Sequence, residues 1–143
     1  MDAQGNLYGT SLGGTPTAVC PTGCGLVFQL TPPGVAGGDW TENVLHSFTG
    51  YSDGATPNAR LTIDHNGELY GAAFSGGILP TNCTGGYDGY APGCGVVFQL
   101  APPASAGGVW SYGRQVVRHD PGFRVPIEAA RIARRRMERG DPL

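Results

Sequence analysis

The feature that most constrains this chain is that it nearly repeats itself. Three pairs of segments match: "GNLYGTSLGG" (5–14) with "GELYGAAFSGG" (67–77), "CGLVFQLTPP" (24–33) with "CGVVFQLAPP" (94–103), and "GGDW" (37–40) with "GGVW" (107–110). The offset grows from 62 to 70 residues, because the second copy has a longer loop between its cysteines. A repeat of this size predicts an architecture in which each copy is one supersecondary unit.

The matched segments have the composition of β-strands. "LVFQL" and "VVFQL" are short and rich in β-branched and aromatic residues, and "ARLTID" places Leu61 and Ile63 on one face. The 25 glycines and 12 prolines supply turns such as "HNGE" and "TPPG" between them. We therefore predict an all-β fold of antiparallel four-stranded units, which is the layout of a β-propeller blade. The four strands are "ARLTID", "ELYGAAF", "CGVVFQL" and one like "WTENVLHSF".

These motifs resemble the Gloeo/Verruco (GloVer) tandem repeat. The resemblance covers residues 1–112 and rests on Leu-Tyr-Gly after Gly-Asn, a Gly-Gly pair, "CGLVFQLTPP", "WTENVLHSFTG" and "DGATP". It implies a bacterial, extracytoplasmic and often surface-anchored protein with a propeller-like array. It implies no catalytic residues and no cofactor.

The repeat divides the chain into three regions. Residues 1–62 hold a first copy without its opening strand and the start of the second, and residues 63–112 hold the second copy. Residues 113–143 contain no repeat motif. The total is about 1.7 blades, whereas a closed propeller needs about four. We expect a piece of a larger array, a short protein that self-associates through open strand edges, or a small sheet covered by the tail.

Basic residues are concentrated in the last region. Eight of the nine arginines lie between Arg114 and Arg139, and there is no lysine. The segment "PIEAARIARRRMERG" predicts a helix that starts at Pro126. Such a helix suits an anionic partner, but its apolar face is thin and it has no interleaved aromatic residues for bases. We favour a helical or disordered appendage and expect no nucleic-acid partner. No apolar run is long enough to span a bilayer, and no signal peptide opens the chain.

The four cysteines occupy equivalent loops of the two copies. We predict the disulfides Cys20–Cys24 and Cys83–Cys94, although four cysteines allow three pairings. Free thiols and a zinc site are the alternatives, and the spacing with no histidine nearby disfavours zinc. Disulfides and the repeat family together predict an oxidising, extracytoplasmic location.

Aspartates and aromatic residues also recur once per copy. Asp2 and Asp64 open equivalent turns; each side chain is expected to hold its own turn, with a calcium loop as the alternative. The aromatic residues are candidates for a carbohydrate-binding shelf or for the packing between blades. They are Tyr8, Tyr70, Trp40 and Trp110, of which the two tryptophans at strand starts are the favoured pair. The histidines share no spacing, and we assign His46, His65 and His119 to solvent-facing positions.

The sequence therefore predicts a non-enzymatic structural or binding module. Its expected partners are further repeats, a second copy of the chain, or a carbohydrate or other cell-surface ligand, and no metal or cofactor is assigned. One alternative is a hydrolase or lyase framed by several blades at a propeller mouth. Another is binding of an anionic partner by the arginine-rich tail.

Overall fold

The computed structural model describes residues 1–77, 93–105 and 107–116. These ranges form eight strands and contain no helix. The strands are β1 (Leu7–Ser11), β2 (Leu26–Thr31), β3 (Thr41–Ser47), β4 (Ala55–Pro57), β5 (Thr62–Ile63), β6 (Leu69–Ser75), β7 (Val96–Ala101) and β8 (Ser111–Val116). All pairings are antiparallel, so the prediction of an all-β antiparallel fold is confirmed. The predicted C-terminal helix and most of the arginine-rich tail lie outside the described residues.

The strands form two separate, open sheets. The first sheet has the order β1-β2-β3, and the second has the order β4-β6-β7-β8, with β5 also paired to β6. The two sheets use the same register. Leu7 pairs with Leu30 and Gly9 with Phe28 in the first sheet, while Leu69 pairs with Leu100 and Gly71 with Phe98 in the second. The strands that match in sequence therefore also match in hydrogen-bond pairing.

The second sheet differs from the predicted unit at its two edges. The segment "ARLTID" contributes only the two residues of β5, and Ala55–Pro57 forms β4 beside the other end of β6. Between the pairs Pro57–Ala73 and Thr62–Tyr70, four residues (58–61) lie opposite only two residues of β6, so the ladder is interrupted between β4 and β5. At the opposite edge, β8 continues to Val116, beyond Tyr112, where the match between the copies ends. β8 can extend past the end of the sequence match because its pairing with β7 uses backbone hydrogen bonds, which do not depend on the repeat motif.

The glycine of each Leu-Tyr-Gly motif lies beneath a phenylalanine ring of the neighbouring strand. A Cβ atom on Gly9 would be 2.5 Å from Cζ of Phe28, and one on Gly71 would be 2.5 Å from Cζ of Phe98. Real Cβ contacts are never this short, so only glycine allows the ring to cover the strand. The motif is thus a packing device in both sheets.

The core lies between the sheets. Because side chains alternate along a strand, each sheet has an inner face toward the other sheet and an outer face away from it. The inner faces carry Tyr8, Val27, Gln29 and His46 in the first sheet and Leu69, Phe98, Leu100 and Tyr112 in the second. The outer faces carry Leu7, Phe28, Leu30 and Val44 in the first sheet and Tyr70, Phe74, Val97 and Gln99 in the second.

Aromatic contacts join the two sheets. Phe48, just after β3, packs edge-on against Phe98 with ring centroids 5.2 Å apart. His46 stacks on Tyr112 at 4.1 Å with an interplanar angle of 14°. His46 is therefore half-buried in the interface, and its assignment to a solvent-facing position was wrong. His65 is exposed as predicted, and His119 lies outside the described residues.

A disulfide joins Cys20 to Cys24, as predicted. Both cysteines are buried in the core next to Gly50, where a Cβ atom would be 2.6 Å from Sγ of Cys24. Cys94 is disulfide-bonded as well, and its predicted partner Cys83 lies outside the described residues. The bridge therefore closes a turn within the loop before β2, and this turn packs against Gly50 in the segment that follows β3.

Candidate functional site

A cleft lies between the two sheets. It has a volume of about 690 Å³. One wall is formed by the turn before β1 and the inner face of the first sheet, including Asp2, Tyr8 and Gln29. The other wall is formed by the turn before β6, at Asn66 and Gly67, and by the loop before β8, at Pro102, Pro103 and Gly107–Trp110. The cleft is thus shared by equivalent elements of two consecutive sheets rather than built into one of them.

The turn before β1 is held by the side chain of Asp2. The Oδ1 atom accepts hydrogen bonds from the backbone N–H groups of Gln4 at 3.0 Å and Asn6 at 2.9 Å. Gly5 closes the turn with a φ of 86°, a left-handed conformation that favours glycine. The structure thus shows the predicted turn held by its own aspartate. Because Oδ1 is occupied in this way, the other carboxylate oxygen is directed toward the strand.

That second oxygen fixes the position of Tyr8. Tyr8 donates its hydroxyl hydrogen to Oδ2 of Asp2 at 2.8 Å, and Gln29 donates from Nε2 to the Tyr8 hydroxyl at 3.0 Å. Asn6 also donates to Oδ2 at 2.8 Å. The ring of Tyr8 then meets the edge of Trp110 from the second sheet, with centroids 6.1 Å apart and an interplanar angle of 65°. The chain of contacts runs from the turn, through Tyr8, to the opposite wall.

The same construction occurs on the outer face of the second sheet, with one change. Asp64 Oδ1 accepts from the backbone N–H groups of Asn66 and Glu68 at 2.9 and 3.0 Å. Here Tyr70 donates to Oε2 of Glu68 at 2.7 Å, and Gln99 donates to the same oxygen at 2.8 Å. A glutamate thus replaces Asn6 and takes over the role that Asp2 has in the first sheet. Tyr70 and Gln99 are oriented as Tyr8 and Gln29 are, but no described residue of another sheet covers them.

The charges of the site follow from these hydrogen bonds. Burial opposes ionisation of Asp2, but hydrogen bonds from Asn6 and Tyr8 outweigh it and lower the pKa of the carboxyl group. Burial and the hydrogen bond to Asp2 raise the pKa of Tyr8. The hydrogen bond to Glu68 raises the pKa of Tyr70 to about 12. At neutral pH, the Asp2 carboxylate is therefore an ionised acceptor, and Tyr8 and Tyr70 are neutral phenols that donate.

A third polar cluster surrounds His46. Its Nε2 atom lies 3.3 Å from Oδ2 of Asp53, within ion-pair distance, but no aligned hydrogen bond joins them. Asp53 instead accepts from the backbone N–H and the hydroxyl of Thr49. Tyr112 donates to the backbone carbonyl of Asp53 at 2.6 Å. Burial lowers the pKa of His46 against the opposing effect of Asp53, so the ring is neutral at pH 7.

This arrangement favours a packing role for His46. A His–Asp pair serves catalysis when the histidine also contacts a nucleophile or a substrate. Here the hydroxyl of Thr49 donates to the aspartate and not to the histidine. The imidazole instead stacks on Tyr112 and makes a T-shaped contact with Phe48. The cluster fastens the loop after β3 to the second sheet. Within the described ranges, no three metal-ligating side chains lie close enough together to hold an ion.

The structure brings together two of the four aromatic residues predicted from the repeat. Tyr8 and Trp110 meet in the cleft. Trp40 is half exposed just before β3, and neither it nor Tyr70 lines the cleft. The favoured pairing of the two tryptophans is replaced by a tyrosine–tryptophan pair, because the cleft combines β1 of the first copy with the loop before β8 of the second copy. Gln29 was missed, although "VFQL" occurs in both copies with the glutamine unchanged.

Comparison with protein-family models, curated proteins and solved structures found no match. The resemblance to the GloVer repeat therefore remains a prediction from the sequence motifs. Among the residues that the structure describes, no helix is long and apolar enough to cross a membrane.

Proposed function

We propose that this protein is a non-enzymatic structural and binding module of an extracytoplasmic bacterial protein. Its GloVer-type repeats pack face to face as propeller-like blades. The observation that carries the proposal is the relation between the two faces of each sheet. The inner face of the second sheet has the same residue pattern and register as the outer face of the first sheet. Likewise, the inner face of the first sheet matches the outer face of the second sheet.

The equivalent residues differ mainly in whether a sheet covers them. Leu69 is fully buried by the first sheet, whereas its counterpart Leu7 is 40% exposed. Val27 is fully buried by the second sheet, whereas its counterpart Val97 is 40% exposed. Each outer face therefore has the residues that form an interface elsewhere in the same chain. The outer face of the second sheet in one chain should therefore pack against the outer face of the first sheet in a second chain.

Such an interface is heterologous, because the two contacting faces differ. Heterologous interfaces build rings when the rotation closes and open filaments when it does not. The apolar side chains on the outer faces make this contact favourable, since burying apolar surface contributes about 25 cal/mol per Å². Disulfides at Cys20–Cys24 and at Cys94 support the extracytoplasmic location, because such bonds persist in oxidising compartments.

The test is the oligomeric state of two complementary variants. Val97→Asp places a charge on the outer face of the second sheet, and Leu7→Asp places one on the outer face of the first. We expect the wild-type chain to associate with rising concentration in sedimentation velocity and each variant alone to remain monomeric. An equimolar mixture should form a one-to-one dimer that grows no further, because each variant keeps the face that the other lacks.

The control is Val35→Asp, which changes an equally apolar but loop-borne residue that is 72% exposed. It should associate like the wild type. Circular dichroism confirms that each variant keeps its β-structure. A wild-type chain that stays monomeric up to millimolar concentration contradicts the proposal. So does a mixture of Val97→Asp and Leu7→Asp that contains no dimer.

A further inference from the structure

We propose that the cleft between the sheets binds a neutral saccharide, held by the rings of Tyr8 and Trp110 and by the amides of Gln29, Asn43 and Asn66. The proposal names the ligand class of the binding module. It rests on the cleft within one chain and does not require association between chains.

The dimensions of the cleft suit a ligand of a few sugar units. Its volume of about 690 Å³ lies within the usual range of about 300–1,000 Å³ for small-molecule sites. It is a partly open cleft and not an enclosed cavity, so a ligand can reach it from solvent. Its walls come from two sheets held together by the buried core, which fixes their separation. The site is therefore largely formed before a ligand arrives.

The lining offers the mixture of surfaces that a saccharide presents. Sugar rings have apolar C–H faces and a rim of hydroxyl groups, and aromatic side chains with a polar tip match this combination. Tyr8 and Trp110 supply the aromatic surface. The side-chain amides of Asn43 and Asn66 are exposed and have no hydrogen-bond partner among the described residues, so both can donate to and accept from hydroxyl groups.

The charge of the lining selects a neutral ligand. Asp2 is the one carboxylate or basic group among the described residues that line the cleft. A phosphorylated, sulfated or uronic ligand would meet this negative charge without a compensating cation, and like charges at close range repel. A carboxylate is in contrast a strong acceptor for neutral hydroxyl donors. Asn6 and Tyr8 both donate hydrogen bonds to Oδ2 of Asp2, so this carboxylate also holds the Tyr8 ring in position.

Tryptophan fluorescence provides a direct readout. The chain has two tryptophans, so Trp40→Phe leaves Trp110 as the single reporter in the cleft. This variant is titrated with soluble glucomannan, mixed-linkage β-glucan and arabinoxylan, with polygalacturonate as the anionic comparison. We expect a saturable change in emission with at least one neutral polysaccharide and none with polygalacturonate.

Two variants on this background test the assigned residues. Tyr8→Phe removes the hydroxyl that Gln29 and Asp2 share, and Asn43→Ala removes an exposed amide without touching the core. Each should weaken binding of the same polysaccharide by about tenfold, with an unchanged thermal midpoint for Asn43→Ala. Thr41→Ala, at another exposed position of β3, should bind like its parent.

Two outcomes overturn the proposal. One is the absence of a saturable response to all three neutral polysaccharides. The other is binding that both Tyr8→Phe and Asn43→Ala leave unchanged. Repeating the titration with the monomeric Val97→Asp variant separates this question from chain association. The cleft of a single chain stays intact there, so loss of association predicts no loss of binding.

Discussion

The glycine beneath each phenylalanine ring allows a controlled test of how the two sheets differ. We predict that Gly71→Ala destabilises the protein and that Gly9→Ala does so far less. The new methyl group meets a ring carbon at 2.5 Å in both cases. At Gly71 it also meets Cδ2 of Leu61 at 2.8 Å, and Phe98 is only 1% exposed. The ring of Phe28 is partly exposed and has room to move outward.

The magnitudes follow from these surroundings. Overpacking a closed core costs about 1–3 kcal/mol, and replacing glycine with alanine returns about 0.4–1 kcal/mol by restricting the unfolded chain. Gly71→Ala should therefore lower the free energy of unfolding by about 1–2 kcal/mol. At Gly9 the ring moves aside, and the two effects nearly cancel, to within about 0.5 kcal/mol. Neither glycine has a positive φ, so backbone strain does not enter.

The assay is equilibrium unfolding in urea, followed by tryptophan fluorescence and circular dichroism. Coincident transitions by the two probes establish two-state behaviour, and equal slopes allow the midpoints to be compared directly. Equal losses in the two variants would refute the reasoning, because they would mean that the covering sheet contributes nothing to the cost. A neutral Gly71→Ala would show that Phe98 is free to move.

Three further perturbations have defined outcomes. The free energy of unfolding should fall as the pH drops below 6.5, because burial lowers the pKa of His46 and the unfolded chain then takes up the proton more readily; urea unfolding at several pH values should show this slope flattened in His46→Gln. Tyr112→Phe removes the donor to the Asp53 carbonyl and should cost about 1 kcal/mol, whereas Tyr51→Phe, at an exposed ring, should cost nothing measurable. Replacing both Cys20 and Cys24 with alanine should cost about 2 kcal/mol, and an unchanged urea midpoint would contradict a stabilising role for this bridge.

Local chemistry made much of the fold predictable. The β-branched and aromatic composition of β2 and β7 and the Asp-x-x-Gly turns repeat in both copies, and each depends on residues close in sequence. The short edge strands were harder. β4 is three residues long and ends in proline, so "ATP" has the appearance of a turn. β5 is shorter than its alternating pattern suggests, because its neighbour β4 already occupies part of the same edge of β6.

Which face of each sheet is buried, and which residues form the cleft, depend on contacts between the two copies. The alternation of side chains along a single strand does not specify those contacts. Leu7 and Leu69 have nearly the same local sequence but opposite exposure, since only one of them is covered by another sheet. His46 was assigned to solvent because its stacking partner Tyr112 is 66 residues away. The pairing of Tyr8 with Trp110 likewise joins the strand of one copy to the loop of the next. The sequence shows that a tyrosine and a tryptophan recur in each copy, but it does not show that the tyrosine of the first copy contacts the tryptophan of the second.

Because the cleft is formed by two sheets, the number of binding sites in the proposed array would follow directly from the number of sheets. In the proposed array, Tyr70 and Trp40 occupy the positions equivalent to Tyr8 and Trp110 on the two outer faces, so each stacked neighbour would complete one further cleft. An open row of sheets has one cleft fewer than it has sheets, and a closed ring has as many clefts as sheets. In the proposed array, duplicating a copy in the gene would therefore add both a sheet and a cleft, and with it avidity for the proposed saccharide ligand. No residue of the existing interfaces has to change.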